Sequence, residues 1–148
     1  MKEKILGTRE IKYISLFEDL TGSTVIDCRI DDENNRVIYL VAEGQLGLAI
    51  GRRGVMINRL KKAIGKNVEV VEFSRHPETF IKKLFQPARV NYIKIMEQGG
   101  RKIAFVSVVA EDKGIAIGKG GKNINRARYL AKRWYNIDDI KLIDKPAE

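Results

Sequence analysis

Cysteine, histidine and tryptophan each occur once in this sequence, as Cys28, His76 and Trp134, and proline occurs three times. One cysteine excludes an intrachain disulfide framework and any cysteine-rich zinc site, and makes a reduced, intracellular setting the default. One histidine, with no Ser or Cys nucleophile paired to it, does not make a hydrolytic site and reads as structural. Cys28 falls within a strand pattern and reads as core. No apolar run approaches the ~20 residues of a spanning helix, and residues 1–7 lack the apolar centre of a secretory signal. A cytoplasmic protein with no membrane partner is therefore expected. With 44% hydrophobic and 32% charged residues the chain is not disordered either. Glutamine is scarce, three against nineteen isoleucines, and with abundant Lys, Arg and Glu this hints at a heat-adapted source.

Acid is scarce where base is plentiful. The net charge is +9, and it is unevenly placed: residues 1–74 carry 12 Lys and Arg against 11 Asp and Glu, whereas residues 75–148 carry 16 against 8. Even in the balanced half, residues 44–68 hold Arg52, Arg53, Arg59, Lys61, Lys62 and Lys66 with no acid between Gly44 and Val68. Such segregation is the electrostatic footprint of a polyanion-binding surface.

The two basic regions share more than charge. Gly-Leu-Ala-Ile-Gly-Arg-Arg-Gly-Val-Met-Ile-Asn-Arg at 47–59 returns as Gly-Ile-Ala-Ile-Gly-Lys-Gly-Gly-Lys-Asn-Ile-Asn-Arg at 114–126, with eight identities in thirteen positions at a constant offset of 67. A repeat of that period means two supersecondary units of one kind. A chain of 148 residues then divides into two small domains, 1–74 and 75–148.

Each unit reads in the same order. Thr8 is the expected N-cap of a helix over 8–20, with Ile11, Ile14, Phe17 and Leu20 on one stripe and Gly22 as its stop. Residues 24–30 alternate with the period of a half-buried strand, setting Thr24, Ile26, Cys28 and Ile30 against Val25, Asp27 and Arg29. After the acidic turn at 31–35, residues 36–42 form its hairpin partner. That turn is not a calcium loop, because Arg36 and Ala42 stand where its glycine and glutamate belong. A short helix over 45–50, a tight link at 51–54, a helix over 55–64 with Ile57, Leu60 and Ile64 inward, and a strand over 67–73 complete the unit. Pro77 and Glu78 suit a first helical turn, so only 74–76 link the units and a fixed mutual orientation is expected. The second unit then gives a helix over 77–86, a hairpin of 89–96 and 101–110 around Gly99-Gly100, and a short helix over 112–117. A link at 118–121, a helix over 122–135 with Ile124, Ala127, Ala131 and Trp134 inward, a strand over 139–143 and a frayed tail at 145–148 follow. A one-residue length difference is expected between Ala42 or Ala110 and the glycine motif.

Two glycines three apart between short helices allow a tight turn with no side chain over it, so phosphates of an extended strand can approach backbone amides and the next helix N-terminus. Arg52, Arg53 and Lys119 supply charge, and Gly120 allows closer approach in the second copy. Ile50 with Ile57, and Ile117 with Ile124, are expected to line a groove too narrow for a duplex. Ile-Gly-X-X-Gly-X-X-Ile, present twice after helix, strand, strand, resembles the GXXG pattern of KH domains, whose loop clamps a single strand. The resemblance implies an α+β fold of two tandem type II KH domains, each a three-stranded sheet with helices on one face. It also implies RNA binding by Ile50, Gly51, Arg52, Arg53, Gly54, Ile57 and Arg59, and by Ile117, Gly118, Lys119, Gly120, Gly121, Lys122, Ile124 and Arg126.

Tandem type II KH domains with almost no linker resemble the paired module of the NusA transcription factor family. Phe80-Ile81, Leu84 and Pro87-Ala88-Arg89-Val90 are similar to the opening of that family's second KH domain. Bacterial members also carry a polymerase-binding domain and an OB-fold domain, neither expected here, so the likeness is to the short archaeal form. It implies a cytoplasmic monomer that binds single-stranded RNA such as a nascent transcript, with RNA polymerase a further partner, in termination or antitermination. A ribosome-associated RNA binder and a KH-fold protein that docks on polymerase without RNA are the alternatives.

Other chemistry fails on spacing. A phosphate-loop NTPase needs glycine where Lys113 and Ala116 stand, and Ser or Thr after its lysine. Residues 101–108 imitate the stacking strand of an RRM in Arg101, Ala104, Phe105 and Val106, but Lys102, Ile103 and Val108 replace its glycine and two aromatics, and an ordinary core strand explains them. Tyr129, Trp134 and Tyr135 read as packing. Asp138-Asp139 lacks further metal ligands. No enzyme, cofactor, metal or small-molecule substrate is expected.

Overall fold

The computed structural model describes residues 5–144 and divides into two compact units, one ending at Ser74 and the other beginning at Arg75. The tail at 145–148 lies outside the described residues.

The first unit runs α1 (Thr8–Thr21), β1 (Val25–Asp31), β2 (Arg36–Val41), α2 (Leu46–Ile50), α3 (Val55–Ile64) and β3 (Asn67–Glu72). The second runs α4 (Pro77–Leu84), β4 (Val90–Gln98), β5 (Arg101–Val108), α5 (Lys113–Ile117), α6 (Lys122–Tyr135) and β6 (Asp139–Ile143). Each sheet has three strands in chain order, the first pair antiparallel and the second parallel. A parallel neighbour needs a crossover, and the two helices around each glycine link provide it. Sequence order alone thus delivers both halves of each motif to one side of a sheet.

The first core shows which side. Val37, Tyr39 and Val41, alternate residues of β2, pack with Phe17 of α1, Ala49 of α2 and Leu60 of α3. The Phe17 and Tyr39 rings lie 4.1 Å apart, and Tyr39 Oη donates to the Tyr13 carbonyl at 3.0 Å, satisfying the phenol inside the core. At the start of β2 the buried Arg36 guanidinium meets Asp31 at 2.7 Å and Glu69 at 3.0 Å, tying all three strands together.

Several expectations change. Strict alternation in β1 fails because Val25 pairs Val41 while Asp27 pairs Leu40, leaving Ile26 as a bulge. The extra residue reverses the phase, so Val25 and Cys28, three apart, both join the core. β4 repeats the device at Asn91, between Val90 and Tyr92. The one-residue length difference before the motif does not exist. Ala42 and Val109 are equivalent, each amide bonding back to the residue before its hairpin, Thr24 or Arg89, and each carbonyl accepting from Gln45 or Asp112. Gln45 Oε1 then accepts from the Thr24 amide at 2.5 Å and Asp112 Oδ2 from the Arg89 amide at 2.8 Å, so the same pin is built twice from different side chains. Among the helices, Gly7 rather than Thr8 stands at the α1 N-cap, and Ile11 is 54% exposed. In α6 Leu130 is buried with Ile124, Ala127 and Ala131, while Trp134 is half-buried.

Candidate nucleic-acid interface

Each link between the short helices is a turn that few residues can make. Gly51 follows α2 at φ 77°, ψ 170°, and Gly118 follows α5 at φ 76°, ψ 166°, a region essentially reserved for glycine. A Cβ on Gly51 would also lie 2.7 Å from Met56 Cγ, and one on Gly118 would lie 2.7 Å from Asn123 Cγ and 2.9 Å from its backbone nitrogen. The closing glycines, Gly54 at φ 72° and Gly121 at φ 77°, are left-handed and cap α3 and α6 without any side-chain cap. Between each glycine pair lies a single 3-10 turn, Arg52–Gly54 or Lys119–Gly121, whose middle residue is left-handed: Arg53 at φ 54°, Gly120 at φ 64°.

The turn consumes some of its own donors. Gly51 donates to Gly47 and Gly54 to Gly51, and Gly118 donates to Gly114 and Gly121 to Gly118. Val55 and Lys122 donate to Arg52 and Lys119. Among the described residues no acceptor sits on the amides of Arg52 and Arg53, or of Lys119 and Gly120. The donors offered to a phosphate are therefore the two middle amides, not those of the glycines. They open beside the uncapped N-terminal turn of the next helix, which favours an anion further.

Arg52, Arg53 and Arg59 are exposed and, with Val55, Asn58 and Lys62, surround an open cavity of about 750 Å³. Four cations and no acid line it, so its field attracts anions along its whole length. In the second link Lys119 and Gly120 are exposed, while Lys122 and Arg126 are half-buried.

The apolar wall differs from expectation. Ile57 packs against the first core and Ile124 is only 7% exposed, because each opens the inward stripe of its helix. Both help to hold the link onto the core, Ile57 while only partly buried. The exposed apolar side chains beside the links are Leu48, Val55, Ile115 and Ile117, at 52%, 42%, 46% and 43%; Ile50 is half-buried. Leu48 and Ile115 went unrecognised in the sequence. Their signal was a mismatch between the copies that keeps an apolar residue one step before a buried alanine, Ala49 or Ala116.

Burial pushes the Cys28 thiol up to about 12, so it is no nucleophile at neutral pH. The Tyr135 ring lies 5.5 Å from that of Phe80, within packing. Among the described residues no three His, Cys, Asp or Glu gather to hold a metal, and no helix is long and apolar enough to cross a membrane.

Comparison with known proteins adds what geometry cannot. A KH domain pattern matches residues 11–98, and the NusA-like second KH domain matches residues 77–145. A probable transcription termination protein NusA of Halococcus morrhuae is 38% identical over 137 residues, covering 93% of this chain and 96% of that protein. The chain belongs to the NusA family. A second NusA, from Halobacterium salinarum, is 40% identical over 131 residues, 88% of this chain and 92% of its own length. Among solved structures, the crystal structure of APE1850 has a TM-score of 0.82 at 43% identity, covering 93% of this chain and all of that one. The two units of this NusA family member are accordingly tandem type II KH domains.

Proposed function

We propose that this chain binds single-stranded RNA in two GXXG clamps and acts on the nascent transcript as a transcription termination and antitermination factor. The domain boundary falls between Ser74 and Arg75, and each KH domain brings one clamp. Arg52, Arg53, Arg59, Lys119, Lys122 and Arg126 meet phosphates. Gly51, Gly54, Gly118, Gly120 and Gly121 let the strand approach, and Ile50 and Ile117 touch bases beside Leu48 and Ile115. The protein works as a cytoplasmic monomer without cofactor or small-molecule substrate, and RNA polymerase is its natural neighbour.

One observation carries the reading. The same turn, with a glycine-only opening residue, two middle amides left without an acceptor and an exposed cation, is built twice at equivalent places. Duplicating so particular a turn makes sense where two stretches of one polyanion are gripped.

The test replaces Arg52 and Arg53, or Lys119 and Gly120, by Asp in the full chain. All four side-chain positions are exposed and Asp tolerates a left-handed backbone, so circular dichroism should not change. RNA affinity should fall. Roughly four to six phosphate contacts give the parent a log-log salt slope of about −3 to −4 on single strands. Unaltered affinity in both folded variants would remove the clamps as the RNA site.

A further inference from the structure

The face of the second sheet that looks away from the helices has a composition of its own. Val37, Tyr39 and Val41 face the helices in the first unit, so their equivalents Ala104, Val106 and Val108, each at most 2% exposed, face them in the second. The alternate residues of β5, Ile103, Phe105 and Ser107, lie on the opposite face. Register adds their neighbours: Tyr92, Lys94 and Met96 from β4, and Asp139, Lys141 and Ile143 from β6.

The middle row across the three strands is Lys94, Phe105, Lys141. Phe105 is half-buried, between the buried Ile103 and Ser107 of the same strand face, and both lysines are exposed. Among the described residues neither lysine has an ion-pair partner. Tyr92, half-buried, stands diagonally from Phe105, at a backbone separation of about 7–8 Å. Asp139, in the adjoining row, is engaged by Arg128 at 3.2 Å.

The first unit provides an internal control. Its equivalent row is Arg29, Ile38, Glu69, one charge of each sign around an aliphatic residue that is 1% exposed. Folding this topology therefore requires neither a half-exposed aromatic nor two like charges. Two exposed ammonium groups on strands about 10 Å apart repel only weakly in water, and an anion lying between them over the ring is attracted by both. A single nucleic-acid strand supplies what the row lacks, with a base on the ring and a phosphate toward each lysine.

We infer that this sheet face is a second single-stranded RNA surface, in which Phe105 and Tyr92 stack bases and Lys94 and Lys141 take the adjoining phosphates. It is the way larger RNA-binding sheets use strand aromatics, built here on a three-stranded sheet away from the GXXG clamps. The surface does not depend on the clamps, and loss of either leaves the other to bind.

The experiment uses the full chain and a labelled, mixed-sequence single-stranded RNA of about 12 nucleotides, enough to span several stacked bases. Four proteins are compared by fluorescence anisotropy: the parent, the Asp clamp variant, Lys94→Glu with Lys141→Glu, and Phe105→Leu. The lysine variant should bind about tenfold more weakly with a salt slope shallower by about 1.4, the share of two phosphates. Phe105→Leu should weaken binding about tenfold with its thermal midpoint kept. Ultraviolet cross-linking should place nucleotides on the peptides carrying Tyr92 and Phe105, in the parent and in the clamp variant alike. Parental affinity in the folded lysine variant, or no cross-link to β4 and β5, overturns the inference. So does a lysine variant that keeps RNA but loses purified polymerase, which would make the face a protein site. A clamp variant that binds as the parent does, beside a lysine variant that does not, would refute the clamps and leave this surface standing.

Discussion

Arg53 and Gly120 hold the same place in the two GXXG links and share a left-handed backbone, φ 54° and φ 64°, although only one of them is a glycine. For a residue with a Cβ that conformation costs about 1–2 kcal/mol. The first link thus keeps a second cation against local strain, and the second gives up that cation and avoids the strain.

Exchanging the two should separate stability from affinity. Arg53→Gly is expected to leave urea unfolding unchanged or improved by up to about 1 kcal/mol, since glycine's extra chain entropy offsets part of the relief. RNA affinity should fall. A Cβ on Gly120 meets no atom within 4 Å, so the cost of Gly120→Arg lies mainly in the backbone, about 1 kcal/mol.

The opening glycines should be intolerant where their helical neighbours are not. Gly51→Ala and Gly118→Ala must both leave a glycine-only region and displace atoms 2.7 Å from the new Cβ, a loss of about 2–4 kcal/mol. Gly118→Ala should be the worse, because Asn123 is fixed by its 2.7 Å bond to the Ile115 carbonyl whereas Met56 is flexible. Gly47→Ala and Gly114→Ala, helical and with nothing within 4 Å, should be neutral or gain about 0.5–1 kcal/mol. Denaturant midpoints of the four variants check this.

Acid should release one tie of the first unit. Asp32 meets Arg9 at 3.1 Å and Lys66 at 3.0 Å, and those two cations hold its carboxyl down at about 2. Because the folded value lies below the unfolded one, the contribution is complete above the ordinary 3.8 and disappears as pH falls toward about 2. Thermal melts of the parent and Asp32→Asn should differ at neutral pH and converge near pH 2. Added salt should narrow the gap, since the pair is exposed.

On the proposed reading, two clamps on one chain make the second grip intramolecular. Affinity should rise steeply between RNAs of about four and twelve nucleotides, with the second contact at an effective concentration of order millimolar or above. A long Gly-Ser insertion after Ser74 should weaken binding of the longer RNA and spare the short one. Flat affinity across that range would mean that each clamp acts alone.

Much of this protein is legible without coordinates. The duplicated motif, the element order and the glycines of each link are constraints on neighbouring residues, and neighbours in sequence express them in any context. The identity of the charged loop residues belongs to the same class. Which amides stay free is not in that class: a sequence shows that Gly51 and Gly54 bend the chain but not that their own N–H groups are spent closing the turn.

What only the tertiary structure decided is which side of each element faces what. Alternation in β1 looked regular until pairing with β2 placed a bulge at Ile26, and a strand's phase depends on its partner's register, not on its own letters. Equivalence of Ala42 with Val109 instead of Ala110 came from matching backbone hydrogen bonds, because an alanine and a valine look unlike in sequence while their amides do the same work. Ile57 and Ile124 were spaced to flank a groove, yet a core three helices deep claimed them and left Leu48 and Ile115 outside. Phe105 looked like one more core residue of β5. Its neighbours Lys94 and Lys141 stand 11 and 36 positions away in sequence, and only pairing three strands brings them into one row.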